Sequence, residues 1–367
     1  MRLSLEARTR IDIVTRMFSI ILVRNVKFKT FYLVMSQNFS YFVCKFSRDK
    51  MKQRDTAIDI TKAIGILLMI LGHCSIIPDM PYKRFIYTFH MPLFFIISGY
   101  FFKSKGIKES LKYDTKHLMT PYFTTSIAVV LLTFILSLHS GQFRPVLYYV
   151  AAMFIGSGFP HPCLYLSHLP SIGAIWFFPA LLVCKNVYNS LSVYSLRKRL
   201  LYSCAIYVVA TLIGRYIIFL PFSVLCGLSA IIFFAIGDYY KLEKPKITWV
   251  HCLIGILCWG ISFQFSEVNL VEPRTDLYFI DIIGATTATF LVYKMSEKIN
   301  DLFRYSDILP WIGRNSMYIL CFHLIDLNIG ISSKITQDIH PIAPIISMLI
   351  IPLICTWIYV YSKKQIA

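Results

Sequence analysis

From residue 57 to the end of the chain, apolar runs recur, separated by short polar stretches. The runs fall at 57–77, 85–102, 119–139, 172–189, 200–219, 221–240, 247–266, 277–295, 309–330 and 341–361. About 20 apolar residues wound as a helix span the roughly 30 Å hydrocarbon core of a bilayer. Helices are predicted throughout, because a segment crossing lipid must satisfy its own backbone groups. A closed barrel would instead need segments of about ten residues that alternate apolar and polar, and these runs do not alternate. The expected fold is an all-α polytopic membrane protein with about ten transmembrane helices.

Composition agrees: 56% of the 367 residues are hydrophobic and 15% are charged, against roughly 25% charged in an ordinary soluble domain. The net charge of +18 would suit a nucleic-acid binder, but the Lys and Arg residues lie mostly between the apolar runs, and their density alternates from loop to loop. One set of connections holds Lys83 and Arg84, then Arg144, Arg215, Arg274 and Lys334. The other set holds Lys103, Lys105, Lys108, Lys112 and Lys116; Lys185, Arg197, Lys198 and Arg199; Lys241, Lys244 and Lys246; Lys294, Lys298 and Arg304; and Lys363 and Lys364. A bias of roughly three to one orients the richer set inward, so both termini are expected in the cytoplasm. No nucleic-acid partner is expected, and membrane lipids are. The external segment 140–171 is long, and "VLYYVAAMFIG" within it is expected to form a re-entrant or surface-lying helix.

Residues 1–50 differ in kind, with ten basic and three acidic residues and no uninterrupted apolar run. Two readings are open: a basic amphipathic segment lying on anionic lipid, or upstream sequence preceding a natural start at Met51. The membrane domain is expected over 51–367. Eight of the ten cysteines (Cys74, Cys184, Cys204, Cys226, Cys252, Cys258, Cys321 and Cys355) lie inside apolar runs, where free cysteine packs as a small hydrophobe. His161, Cys163 and His168 share a loop, but no CxxC pair or zinc spacing is present, and no metal is expected.

Polar residues inside the apolar runs are costly and mark candidate sites. In the first run, Asp59, Lys62 and His73 interrupt the hydrophobic pattern. At 100° per residue, Lys62 and His73 fall within about 20° of one face and about 16 Å apart along the axis. Asp59 falls about 40° to the other side, so all three can line one polar stripe. The plainer reading is that Asp59 and Lys62 snorkel to headgroups while His73 makes an ordinary interhelical hydrogen bond. The second run adds His90, Pro92, Ser98 and Gly99. In the ninth, Gly313, Arg314, Asn315 and Ser316 open the helix and His323 follows two turns later. A helix start with a cation, an amide and a hydroxyl suits a phosphate. It suits an ordinary N-cap beside an interfacial arginine equally well.

In chain order, "KAIGILLMILGH", "FHMPLFFIISGYFF", "IWFFPALLV" and "IGRNSMYILCFH" resemble the motifs of the membrane-bound acyltransferase-3 family, and the second resembles its fucose 4-O-acetylase-like members. The likeness covers residues 54 to about 361. It implies a ten-helix domain in the bacterial inner membrane that transfers an acyl group, most often acetyl, from cytoplasmic acyl-CoA to a sugar of a surface polysaccharide or its lipid-linked precursor. By the same resemblance, Lys62 and His73 correspond to the family's basic residue and essential histidine. His90 and Ser98 match its second-helix motif, Trp176 its fourth-helix tryptophan, and Arg314, Asn315 and Ser316 its late cytoplasmic motif. Residues 1–50 have no counterpart in the family.

Acyl transfer to an alcohol needs a base, and a neutral imidazole at His73 suits that role. Asp59 cannot orient it, since 14 residues of helix extend about 21 Å. Asp281 and Asp326 are the in-span candidates for an orienting carboxylate from another helix. The extended pantetheine arm of CoA is on the order of 15 to 20 Å long, close to the Lys62–His73 separation. Lys62 and Arg314 are therefore expected at the CoA phosphates and His73 at the thioester. The rival class is a carrier or flippase for a sugar or lipid. Carriers commonly show internal repeats, and no matching halves are found here.

Overall fold

The computed structural model describes residues 55–74, 81–160, 170–215, 220–266, 268–303, 306–332 and 343–366. The expectations for residues 1–50 and for the loop holding His161, Cys163 and His168 lie outside these. The described residues are helical with no strand. Their β-type pairings are isolated bridges, Ser157 with Ser171 and Asn269 with Arg274.

Helix α1 (Thr56–Gly72) starts at Asp55, whose carboxylate accepts the Ile58 N–H at 3.2 Å, an ordinary N-cap. It ends earlier than the apolar pattern predicts, with His73 as its cap residue. The second run forms two helices, α2 (Pro81–Tyr87) and α3 (His90–Tyr100). The break has a local cause. The ring of Pro92 conflicts with the carbonyl four residues earlier, at Thr88, and offers it no N–H. The third run begins sooner than expected: α4 (Ile107–Asp114) passes through one π turn, Thr115–Met119, into α5 (Thr120–Ser140). Pro121 has the same effect on the carbonyl of His117, inside that widened turn.

The expected helix around "VLYYVAAMFIG" is α6 (Arg144–Ile155). A 3-10 turn, Ala174–Trp176, leads into α7 (Phe177–Ser190), followed by α8 (Leu196–Arg215). The sixth run divides at Ala230 into α9 (Val224–Ser229) and α10 (Ile231–Glu243). Next come α11 (Trp249–Phe265) and α12 (Phe279–Leu302). The ninth run divides at Asn315 into α13 (Ile308–Arg314) and α14 (Ser316–Ile329), and α15 (Ala343–Ile366) follows.

Three described stretches are long and apolar enough to cross a membrane on their own: Ile107–Ser140, Val224–Glu243 and Ala343–Lys363. Broken or shorter helices carry the other apolar runs. The outward faces are those of a membrane protein. On α15, Ile346, Ile350, Ile354 and Ile358 recur every fourth residue and each is about half exposed. On α11, Leu253, Leu257 and Ile261 do the same. An apolar stripe of that extent facing outward has no use in water and is the natural surface toward lipid.

Helix α1 is the hub, with α2, α3, α12, α13, α14 and α15 packed around it. Two close approaches hold the site's walls. Where α3 crosses α10, a side chain at Gly99 would strike the Phe234 carbonyl, and one at Gly237 would strike the Ile96 carbonyl. Small residues let helix backbones meet where lipid supplies no hydrophobic drive to associate. Likewise, Gly313 on α13 lies directly against the backbone carbonyl of Asp59 on α1, which brings Arg314 to the Lys62 end of that helix.

Candidate active site

Along α1, Lys62, Ile66, Met69 and His73 line one cavity of about 1460 Å³. Their spacings of four, three and four residues form a single helical stripe. Because α1 is unbroken between them, Lys62 and His73 stand about 16 Å apart. The cavity is also lined by His90 and Ser98 from α3, Trp176 from the 3-10 turn, Arg314 from α13 and Ser316 from α14. With Gly313, which also lines it, eight of the residues singled out from the sequence share one space.

The Lys62 end is cationic. Lys62 is one-fifth exposed (20%), 3.6 Å from the Asp59 carboxylate, and its ammonium lies 5.1 Å from the centre of the Phe101 ring. Asp59 itself corrects the helical-wheel expectation: it is buried at 1% exposure, against Gly313, and does not line the cavity. The 40° offset is enough to turn it into the α1–α13 contact.

The His73 end is aromatic and rich in imidazole. His73 Nδ1 lies 2.8 Å from the Met69 carbonyl. A carbonyl only accepts, so Nδ1 carries the proton and donates, and Nε2 keeps its lone pair. His90, buried at the start of α3, makes the same bond to the Ile86 carbonyl at 3.0 Å. His323 on α14 is fully buried, with its ring centre 5.6 Å from that of His73. Neither of its ring nitrogens makes a hydrogen bond among the described residues. The Tyr87 hydroxyl donates to the Gly72 carbonyl at 3.0 Å and pins α2 beneath the last turn of α1.

Three expectations are corrected. Asp281 does not orient His73: its carboxylate accepts from Ser262 Oγ at 2.6 Å, Ser266 Oγ at 2.7 Å and the Leu277 N–H at 3.0 Å, stitching α11 to α12. Asp326 accepts the N–H of Ser332 at 2.8 Å and also its hydroxyl, which closes the end of α14. Among the described residues a backbone carbonyl, and no carboxylate, orients His73. Finally, the Gly-Arg-Asn-Ser stretch is a junction rather than a simple helix start. The side-chain amide of Asn315 donates back to the Trp311 carbonyl at 2.8 Å, so Asn315 caps α13 while its neighbours Arg314 and Ser316 face the cavity. Ser98 lines the wall with its hydroxyl donating to the Phe94 carbonyl at 2.7 Å. Sequence reasoning treated Lys83 and Arg84 as loop charges that mark orientation, yet both line the cavity.

A family pattern described as an acyltransferase domain matches residues 55–361, from the N-cap of α1 to within a turn or two of the end of α15. No curated protein and no solved structure matches the chain. The match takes in every residue of the cavity just described, and it shows that the chain belongs to the membrane acyltransferase-3 family.

Proposed function

We propose that this protein is a multi-pass O-acyltransferase of the bacterial inner membrane. It moves an acetyl or other small acyl group from cytoplasmic acyl-CoA to a sugar hydroxyl of a surface polysaccharide or its lipid-linked precursor. In this reading the ten apolar runs cross or enter the bilayer with both termini in the cytoplasm. The observation that carries it is that Lys62, Arg314 and His73 line one cavity, cations at one end and an imidazole with a proton-accepting Nε2 at the other.

The cations suit CoA phosphates, and charge-assisted contacts to phosphate are among the strong hydrogen bonds. The separation of about 16 Å lets one extended thioester arm span both ends. Nε2 of His73 takes the proton of the acceptor hydroxyl as its oxygen attacks the thioester carbon. The C–S bond breaks, an ester forms, and the departing thiolate recovers the proton from His73. General base catalysis of this kind contributes about 10² to 10⁴ in rate.

Thermal melting of the purified chain with and without CoA tests the donor half. An acyltransferase is stabilised by a ligand that binds its native state, and an unchanged melting temperature at millimolar CoA would contradict the proposal.

A further inference from the structure

We infer that the acceptor carries an anionic group, a carboxylate or a phosphate, near the hydroxyl that is acylated, and that Lys83 and Arg84 receive it. This rests on the donor and base assignments proposed above.

Helix α2 is docked at the His73 end of α1 through the Tyr87–Gly72 hydrogen bond. Lys83 and Arg84, on consecutive positions of α2, line the same cavity as His73. They stand far from Lys62, which is about 16 Å along α1 from His73. A donor whose phosphates meet Lys62 and Arg314 and whose thioester meets His73 leaves this second pair of cations unused.

Their own protein contacts do not occupy them. The Arg84 guanidinium donates to the Gln264 carbonyl at 2.8 Å, a neutral acceptor at the end of α11. That bond fixes the fork in place and takes one of the donors a guanidinium offers. Lys83 makes no ion pair among the described residues, and no carboxylate is among the described residues lining the cavity. Cations facing a partly enclosed space with no acidic neighbour among the described residues raise its potential and favour an anionic occupant. A neutral sugar accepts hydrogen bonds from them but draws nothing from their net charge.

The test uses the full chain in phosphatidylcholine nanodiscs, which carry no anionic headgroup, with CoA at saturation so that the donor end is filled. Binding of a methyl hexoside, the corresponding methyl hexuronide and a hexose 1-phosphate is compared by titration. Two partly exposed charge contacts give an expected preference of about tenfold for the anionic ligands. The preference should vanish in the Lys83→Ala/Arg84→Ala double variant, while stabilisation by CoA persists. Preference for the hexuronide points to an acidic sugar, and preference for the phosphate to a phosphorylated or lipid-diphosphate acceptor. Equal binding of neutral and anionic ligands, binding of none, or a preference that survives the double variant overturns the inference. In a parallel arm with phosphatidylglycerol vesicles, a double variant altered only in its association with that lipid also overturns it, since the two cations would then be lipid anchors. Failure of CoA itself to stabilise the chain counts against the donor assignment instead.

Discussion

Lys62→Met tests the donor end, and its effect must be separated from a folding effect. Lys62 lies 3.6 Å from the buried carboxylate of Asp59, so removing the ammonium alone burdens the α1–α13 contact as well as any bound phosphate. The perturbation is therefore made as Asp59→Asn/Lys62→Met against Asp59→Asn, which cancels the carboxylate. A hydrogen bond to a charged group contributes about 1.5 kcal/mol at its lower end, the end suited to a side chain one-fifth exposed, and that is roughly tenfold in kcat/KM. Initial transfer rates are measured in membrane vesicles with acetyl-CoA and with S-acetylpantetheine, which has the thioester arm but no phosphates. The double variant should lose about tenfold on acetyl-CoA and little on S-acetylpantetheine, narrowing the preference between them by that factor. An equal loss on both donors would refute a phosphate role for Lys62.

Two further outcomes follow from the packing. Gly313→Ala places a methyl group against the Asp59 carbonyl and should cost about 1 to 3 kcal/mol of stability by forcing α13 from α1. An unchanged melting curve would contradict the close approach. Asp281→Ala strands the hydroxyls of Ser262 and Ser266 and should cost about 1 to 3 kcal/mol, while the folded protein keeps its donor KM. A selective change in KM would return Asp281 to the site.

The membrane class and the main stripe of the site were legible because both depend on period alone. Apolar runs announce helices, and eleven residues are close enough to three turns that Lys62 and His73 must share a face. The fold departs from the sequence reading where a single residue acts on its neighbours. Pro92 splits the second run, Pro121 widens a turn in the third, and the Asn315 amide turns back on α13 to divide the ninth. Which polar residues reach the cavity was less legible. Helical phase cannot say that Asp59 meets Gly313 or that the Asp281 oxygens are taken by Ser262 and Ser266, because those partners come from distant segments. Nor does a basic pair in a connection, such as Lys83 and Arg84, reveal whether it faces headgroups or a cavity. The hydrogen bond from Tyr87 to the Gly72 carbonyl, which settles where α2 docks, joins residues on two different helices.

The central claim is that His73, lining the cavity with its Nδ1 held by the Met69 carbonyl, is the base for acyl transfer. The most direct test is transfer of labelled acetyl from acetyl-CoA to endogenous acceptor in membrane vesicles by wild type and His73→Ala, at matched protein levels and with stabilisation by CoA confirmed for both. Transfer by His73→Ala is expected to fall by about 10² to 10⁴, the span of general base catalysis, with CoA stabilisation retained. Transfer by His73→Ala within a few-fold of wild type would contradict it.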